Sequence, residues 1–274
     1  MPRFVFWNVN RAEIAEAVAR LAWQEDADVV VLAECAMEPA KLLWAMNERR
    51  PDFHFAPGRV PAPFLEESGG RLAFYTRFSP NMLTPIVESH RVSIRRLEMM
   101  ARRPILLAVA HLPSKRNYRD ESQVFESVHL ARMIEQAERQ EGHQRTVVMG
   151  DLNMNPFESG MVAASGGLHA VMSRRVAERG SRVVQREPYT FFYNPMWNHM
   201  GDWAEAAGTY YYENGEPLCY FWNMFDQVLL RPELLGGFKP EGVRIVTEID
   251  GRPLMKNGCP VVSDHLPVVL EVGF

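Results

Sequence analysis

Apolar residues along this chain concentrate in short runs at positions 4–7, 29–33, 72–75, 105–110, 146–149, 228–230, 243–246 and 266–272. Runs of that length, bounded by polar and turn-forming residues, predict strands buried on both faces. Between the first two, Ile14, Val18, Leu21 and Ala22 recur at i, i+4, i+7 and i+8, with Asn10 placed to cap and Glu13 three residues on. That spacing predicts an amphipathic helix. A second helix is predicted over about 121–140, where Val124, Val128, Ala131 and Ile134 form a stripe amid Glu, Gln and Arg. The stripe is a core face.

No internal repeat or Ser/Gly-rich linker interrupts the pattern, so residues 1–274 are expected to form a single domain. The exception to even composition is the stretch 188–225, which carries 13 of the chain's 29 aromatic residues. Even spreading would put about 4 there. The rings either stack on bases or form a small satellite core under a long insertion, and the second reading is preferred. Tyr210-Tyr211-Tyr212 and Tyr220-Phe221-Trp222 are expected to alternate faces; Tyr212 and Trp222 are candidate substrate contacts.

Composition narrows the function. At 47% hydrophobic and 23% charged residues the chain is ordinary globular material. Cys35, Cys219 and Cys259 are widely spaced and make no C-x-x-C pair, which points away from a disulfide framework or a thiolate zinc site. No apolar run approaches the roughly 18 residues of a membrane span, and a soluble cytoplasmic protein without membrane contact is expected. A net charge of -4 argues against a broad basic face for duplex nucleic acid. It is compatible with a cluster of carboxylates that a bound cation would offset.

Such a cluster is visible in the order of residues. Glu34 closes the run 29–33, His111 closes 105–110, and Asp151 follows 146–149, whereas Asp226 and the pair Asp264-His265 stand just before their runs. Antiparallel neighbours would bring beginnings and ends of strands to one rim. Carboxylates and carboxamides without thiolates suit a hard cation such as Mg²⁺ or Mn²⁺. Such an ion polarises a phosphoryl oxygen and helps generate hydroxide, and neighbouring histidines suit a phosphoryl dianion.

Six short words carry a specific resemblance: Phe6-Trp7-Asn8-Val9-Asn10, Leu32-Ala33-Glu34, Ala110-His111-Leu112, Gly150-Asp151-Leu152-Asn153, Phe225-Asp226-Gln227 and Ser263-Asp264-His265-Leu266-Pro267-Val268. In this order they resemble the motifs of the endonuclease/exonuclease/phosphatase superfamily of DNase I-like metal-dependent phosphoesterases. The resemblance implies an α/β, four-layer α-β-β-α sandwich, two mixed β-sheets packed face to face with helices outside, and a site at one edge. It also implies that Asn8, Glu34 and Asp264 hold the metal and that Asp151 activates or orients the attacking water. Asn153 would bind the phosphate or position that water. Asp226 would orient His265 toward the phosphoryl oxygens, and His111 would be a second phosphate contact or the proton donor. Family members often orient that histidine with an acid ahead of the preceding strand, where this chain has Gly69-Gly70 with Glu66 and Glu67 nearby.

Of the charged run Lys115, Arg116 and Arg119, Arg116 is a candidate substrate contact. Arg91, Arg95, Arg96, Arg102 and Arg103 read as an exposed strand face. His54, His90, His129, His143, His169 and His199 read as surface or packing residues. The expected activity is metal-dependent hydrolysis of a phosphodiester in DNA or RNA. The alternatives are a phosphodiesterase or phosphatase for a lipid, sugar or nucleotide phosphate, and a binding protein without catalysis. No protein partner is indicated.

Overall fold

A computed structural model describes residues 1–58, 72–115, 120–202 and 204–274. Two mixed sheets organise them. The first has the spatial order β16 (Phe238–Ile245), β21 (Val268–Val272), β1 (Arg3–Asn8), β2 (Val29–Ala33), β4 (Ala73–Thr76) and β3 (His54–Phe55). The second runs β5 (Leu83–Glu88), β6 (Val92–Leu97), β7 (Ile105–His111), β8 (Thr146–Asp151), β15 (Asp226–Leu230), β12 (Phe192–Tyr193) and β9 (Ala170–Val171). Hairpins β10 (Ser181–Val184) with β11 (Glu187–Thr190), β13 (Tyr210–Tyr212) with β14 (Phe221–Asn223), β17 (Glu248–Ile249) with β18 (Arg252–Pro253), and β19 (Met255–Lys256) with β20 (Cys259–Pro260) decorate this frame.

Alternation along each strand sorts its residues between two cores. Phe4 and Phe6 of β1 point between the sheets, where they join Val29, Val31, Leu107, Val109, Val147 and Met149. Val5 and Trp7 point the other way, to pack with Val30 and Leu32 against α1 (Ala15–Gln24) and α2 (Pro39–Met46). On the far side of the second sheet, Leu106, Ala108 and Val148 meet Leu130 and Ile134 of α3 (Asp120–Glu141). Helix, sheet, sheet, helix is therefore the layer order. Strands covered on both faces lose water from every side chain, which is why their sequences are continuously apolar. Two four-residue helices, α4 (Ser159–Val162) and α5 (Arg174–Ala177), fill corners.

Two local expectations are corrected. Asn10 does not cap α1: its backbone N–H donates to Asn8 Oδ1 at 3.0 Å, and Asn10 and Arg11 take φ of 44° and 59°. The left-handed turn delays the helix to Ala15, and Ile14 occupies the cap position without a side-chain bond. Arg95 is not on an exposed face; it is buried between the sheets. Its guanidinium lies 3.8 Å from the Phe74 ring centroid and donates to Ala56 O at 2.8 Å, Ser93 Oγ at 3.1 Å and Glu88 Oε1 at 3.3 Å. A buried cation needs this full set of partners, because desolvation would otherwise expel it. No helix among the described residues is long and apolar enough to cross a membrane.

Candidate active site

Strand pairing fixes where the polar residues go. In the first sheet, parallel β1 and β2 pair Asn8 with Ala33, so Glu34 emerges beside Asn8. Antiparallel β21 pairs Val268 with Phe6, which returns Asp264 and His265 to the same end. In the second sheet, parallel β7 and β8 pair His111 with Asp151, and antiparallel β15 pairs Asp226 with Asp151. All these positions reach one rim of the sandwich.

The rim is joined by direct contacts. Asn8 Nδ2 donates to Glu34 Oε1 at 3.3 Å and to Asp151 Oδ2 at 3.0 Å, the latter bond crossing from one sheet to the other. His111 Nε2 lies 3.5 Å from Glu34 Oε1 and 3.7 Å from Asp151 Oδ2. His265 Nδ1 lies 2.8 Å from Asp226 Oδ2, and its Nε2 lies 3.9 Å from Asp151 Oδ2. Ser263 Oγ donates to Asn8 O at 2.8 Å and lies 3.4 Å from Asp264 Oδ1. Glu34 thus meets Asn8 directly, and Asp264 is linked to the Asn8 carbonyl through Ser263. Asn153 N donates to Asp151 Oδ1 at 3.0 Å, and Asn153 Nδ2 donates to Leu112 O at 2.9 Å.

Two residues of the rim have left-handed backbone. Glu34 and Asn153 are non-glycine residues with φ of 50° and 49°. Such conformations cost on the order of 1 kcal/mol each and persist where surrounding contacts over-determine them. Gly150 has φ of 152°, and a Cβ there would sit 2.0 Å from Ala110 O. Only glycine lets β8 pass β7 at this level, which explains the first letter of the Gly-Asp-x-Asn word.

Burial and charge act against each other on the Asp226–His265 pair. Burial pushes the Asp226 carboxyl up to about 6, although the charge of His265 and its hydrogen bond pull it down. Burial also works against charging His265, but Asp226, Asp151 and Asp264 outweigh it and raise the imidazole to about 9. Near neutrality the two form an ion pair, with Nδ1–H donating to Asp226 and Nε2–H turned toward Asp151. Asp226 N in turn donates to Thr209 Oγ1 at 3.0 Å, and Trp7 Nε1 donates to His265 O at 2.9 Å.

Four carboxylates, two carboxamides and two imidazoles gather at this rim, and their oxygens are a donor set for a hard divalent cation. Asp226 Oδ1 and His111 Nδ1 are buried without hydrogen-bond partners among the described residues, as expected of a centre whose charge is balanced by a further group. Ligand atoms of Asp151, Asp226 and His265 lie within 4.8 Å of one another. One edge of that triangle is the 2.8 Å Asp226–His265 hydrogen bond, which an ion there would have to break. The Asn8, Glu34 and Asp264 side has oxygen donors without that cost, and Glu34 keeps 25% of its side chain exposed to admit an ion.

The other candidates separate. Tyr212 lines a cavity of about 380 Å³ beside the rim. Trp222 lies on the opposite face of its hairpin, edge-on to Tyr211 at 5.5 Å and packed against the core under α1 and α2. Arg116 and Arg119, like Glu66, Glu67, Gly69 and Gly70, lie outside the described residues. Two residues had no sequence assignment. Thr209 binds Asp226, and the Tyr210 ring lies 4.5 Å from the His265 ring. Their only advance signal was the aromatic clustering ahead of Asp226. A cavity of about 580 Å³ at the opposite end of the second sheet is lined in part by Glu138 and Arg231, which pair at 2.8 Å. It is remote from the strand ends that carry the chemistry.

The profile of the Endonuclease/Exonuclease/phosphatase family matches residues 5–265. Among solved structures, truncated Caenorhabditis elegans TDP2 is 14% identical, with 100% of this chain and 97% of that chain covered and a TM-score of 0.57. The 3′ phosphatase NExo from Neisseria, bound to a product DNA hairpin, is 15% identical with both chains fully covered (100%) and a TM-score of 0.56. The endonuclease domain of TRAS1, a telomere-specific non-LTR retrotransposon, is 13% identical, with 100% and 99% coverage and a TM-score of 0.55. At these identities the likeness is one of fold. No curated protein matches the sequence.

Proposed function

The chain belongs to the endonuclease/exonuclease/phosphatase family of phosphate-ester hydrolases, and from that premise we propose that it cleaves phosphodiester bonds in nucleic acid with Mg²⁺ or Mn²⁺. The observation that carries the site is Asp151, whose Oδ2 lies within 4 Å of both His111 Nε2 and His265 Nε2 and is bonded to Asn8. A carboxylate held between two imidazoles and next to the oxygen donors of the opposite sheet is placed to orient a water for in-line attack.

In this reading Asn8, Glu34 and Asp264 hold the cation. When bound, it polarises a phosphoryl oxygen and stabilises the leaving alkoxide. Asp151 accepts the proton of the attacking water. Asn153 contacts the phosphate or positions that water; its backbone N–H is tied to Asp151 Oδ1 and its carboxamide nitrogen to Leu112 O. Asp226 keeps His265 charged, so that Nε2–H donates to a phosphoryl oxygen as negative charge grows there. His111, on the opposite side of Asp151, is the second phosphate contact or the group that protonates the leaving oxygen.

DNA in the relatives supports the nucleic-acid reading: NExo is bound to a product hairpin, and a zebrafish TDP2 structure holds a single-strand DNA product. The net charge of -4 favours the alternative of a lipid, sugar or nucleotide phosphate. We also propose one domain over residues 1–274, supported by the pairing of β1 with β21 from opposite ends of the chain, and an aromatic insertion at 188–225. A cytoplasmic location is supported by three free cysteines.

The test is a substrate panel of plasmid, single-stranded DNA, RNA, bis-p-nitrophenyl phosphate and p-nitrophenyl phosphate, each with Mg²⁺, Mn²⁺ or EDTA. Cation-dependent cleavage of a polynucleotide and of the diester is expected. Turnover of the monoester alone would defeat the nuclease reading, and silence on the whole panel would leave a binding protein.

A further inference from the structure

His265 lies outside both large sheets, yet its imidazole meets Asp226 of the second sheet at 2.8 Å. Apolar packing between the sheets holds them together without fixing how they slide, because such contact is non-directional. A short contact across them needs directional bonds that tie the His265 backbone to the Asp226 backbone. Thr209 supplies a link to each. Its Oγ1 accepts from Asp226 N at 3.0 Å, and its carbonyl oxygen accepts from Leu266 N at 2.8 Å. The peptide unit that joins His265 to Leu266 is held on its other edge by Trp7, whose Nε1 donates to His265 O at 2.9 Å. Tyr210 adds an antiparallel bridge to His265. Thr209 itself has little freedom: it is fully buried, and its N–H donates to Asn223 O at 2.9 Å. Gly208 permits that approach, since a Cβ there would sit 2.6 Å from Asn223 O. The branched Cβ of Thr209 restricts its rotamers, which keeps the hydroxyl against Asp226 N.

We infer that Thr209 is a positioning residue of the hydrolytic site, setting the register between the Asp226 carboxylate and the His265 imidazole, with Trp7 as its counterpart on the far edge of the His265–Leu266 peptide. The inference rests on the phosphodiesterase reading above and assigns a role to a residue that acts through the Asp226–His265 pair. A valine at 209 would fill the same volume but leave the buried Asp226 N–H without its acceptor. The start of β15 then shifts toward another acceptor, Oδ2 leaves Nδ1, and Nε2–H turns away from the phosphoryl oxygen. Catalytic groups tolerate displacements of only about 0.5 Å. Asn8, Glu34 and Asp264 keep their places, so ground-state binding is spared while the transition state loses a donor. Such a change lowers kcat and leaves KM alone.

The test measures bis-p-nitrophenyl phosphate turnover with Mg²⁺ and, in chelator-treated protein, the low-field NMR resonance of the proton on His265 Nδ1. Thr209→Val should lower kcat at least about tenfold with KM changed by less than about twofold. The Nδ1 proton should move upfield as its charge-assisted bond to Asp226 lengthens. Thr209→Ser, which keeps the hydroxyl, should bring kcat to within about threefold of wild type and return the resonance. Trp7→Phe, which deletes the indole donor, should show the same kcat loss and the same upfield move, and it decides the matter should Thr209→Val not fold. A wild-type kcat and an unmoved resonance in Thr209→Val would overturn the inference. Equal losses in Thr209→Ser and Thr209→Val would do the same, as would a Trp7→Phe protein with neither effect. A wild type that cuts no diester would defeat the phosphodiesterase reading instead, and the resonance would still decide on Thr209.

Discussion

Asp226 Oδ2 lies 2.8 Å from His265 Nδ1, with both side chains withdrawn from solvent, and the contact joins the two sheets across the active rim. Asp226 begins β15 of the second sheet, while His265 precedes β21 of the first. The pair is therefore both a chemical device and a clamp. Asp226→Asn keeps the shape and removes the charge that raises His265 to about 9. In chelator-treated protein, NMR titration of the His265 ring should show its pKa falling toward the ordinary 6.5. Diester turnover should drop at least about a hundredfold, as it should for Asp151→Asn and His265→Ala, with circular dichroism showing the fold retained. Near-normal rates in any of the three would remove that residue from the mechanism.

Glu34 and Asn8 share a hydrogen bond at 3.3 Å, so Glu34→Gln alters an oxygen donor with little change in shape. The variant is expected to need at least about tenfold more Mg²⁺ for half-maximal turnover. Unchanged metal dependence would take Glu34 out of the ligand set.

Gly150 leaves no room for any side chain, because a Cβ would lie 2.0 Å from Ala110 O at a φ of 152°. Gly150→Ala should destabilise the protein by about 2 kcal/mol or more, through strain and the displacement of β7 from β8. Urea unfolding checks it, and a loss below about 0.5 kcal/mol would show that the strands yield easily.

His169 is buried; its Nε2 accepts from Arg182 Nε at 2.9 Å, and its Nδ1 lies 3.2 Å from Thr190 O. Burial, with the nearby charges of Arg182 and Arg231, pushes its pKa below the ordinary 6.5 despite the opposing hydrogen bond. The unfolded chain then takes up the proton first as pH falls. The stability contributed by neutral His169 is full above about pH 6.5 and declines below it, by at most about 1.4 kcal/mol per pH unit. His169→Gln should flatten the acid limb of a plot of unfolding free energy against pH. An identical slope in the variant would show that His169 titrates alike in both states.

The residue order by itself determined the buried strands, the long helix, and the polar residues at strand ends. Those signals are local: continuous apolar runs require two covered faces, and a polar residue at the end of such a run must come out at an edge. The same logic placed Asn8, Glu34, His111, Asp151, Asp226 and His265 at strand edges, and parallel pairing of β1 with β2 and of β7 with β8, with antiparallel β21 and β15, brought those edges to one rim. Tertiary structure alone decided what depended on partners far along the chain. Arg95 is buried because Ala56, Glu88 and Phe74 surround it, and a basic run carries no trace of those partners. Asn10 lost its cap to a turn fastened by Asn8. Tyr210 reached His265, and Trp222 turned away, because the 210–212 and 221–223 strands pair with Tyr211 opposite Trp222, which sends adjacent rings to opposite faces. Strand period reveals that adjacent side chains diverge, but which face meets the site is settled only when the hairpin docks.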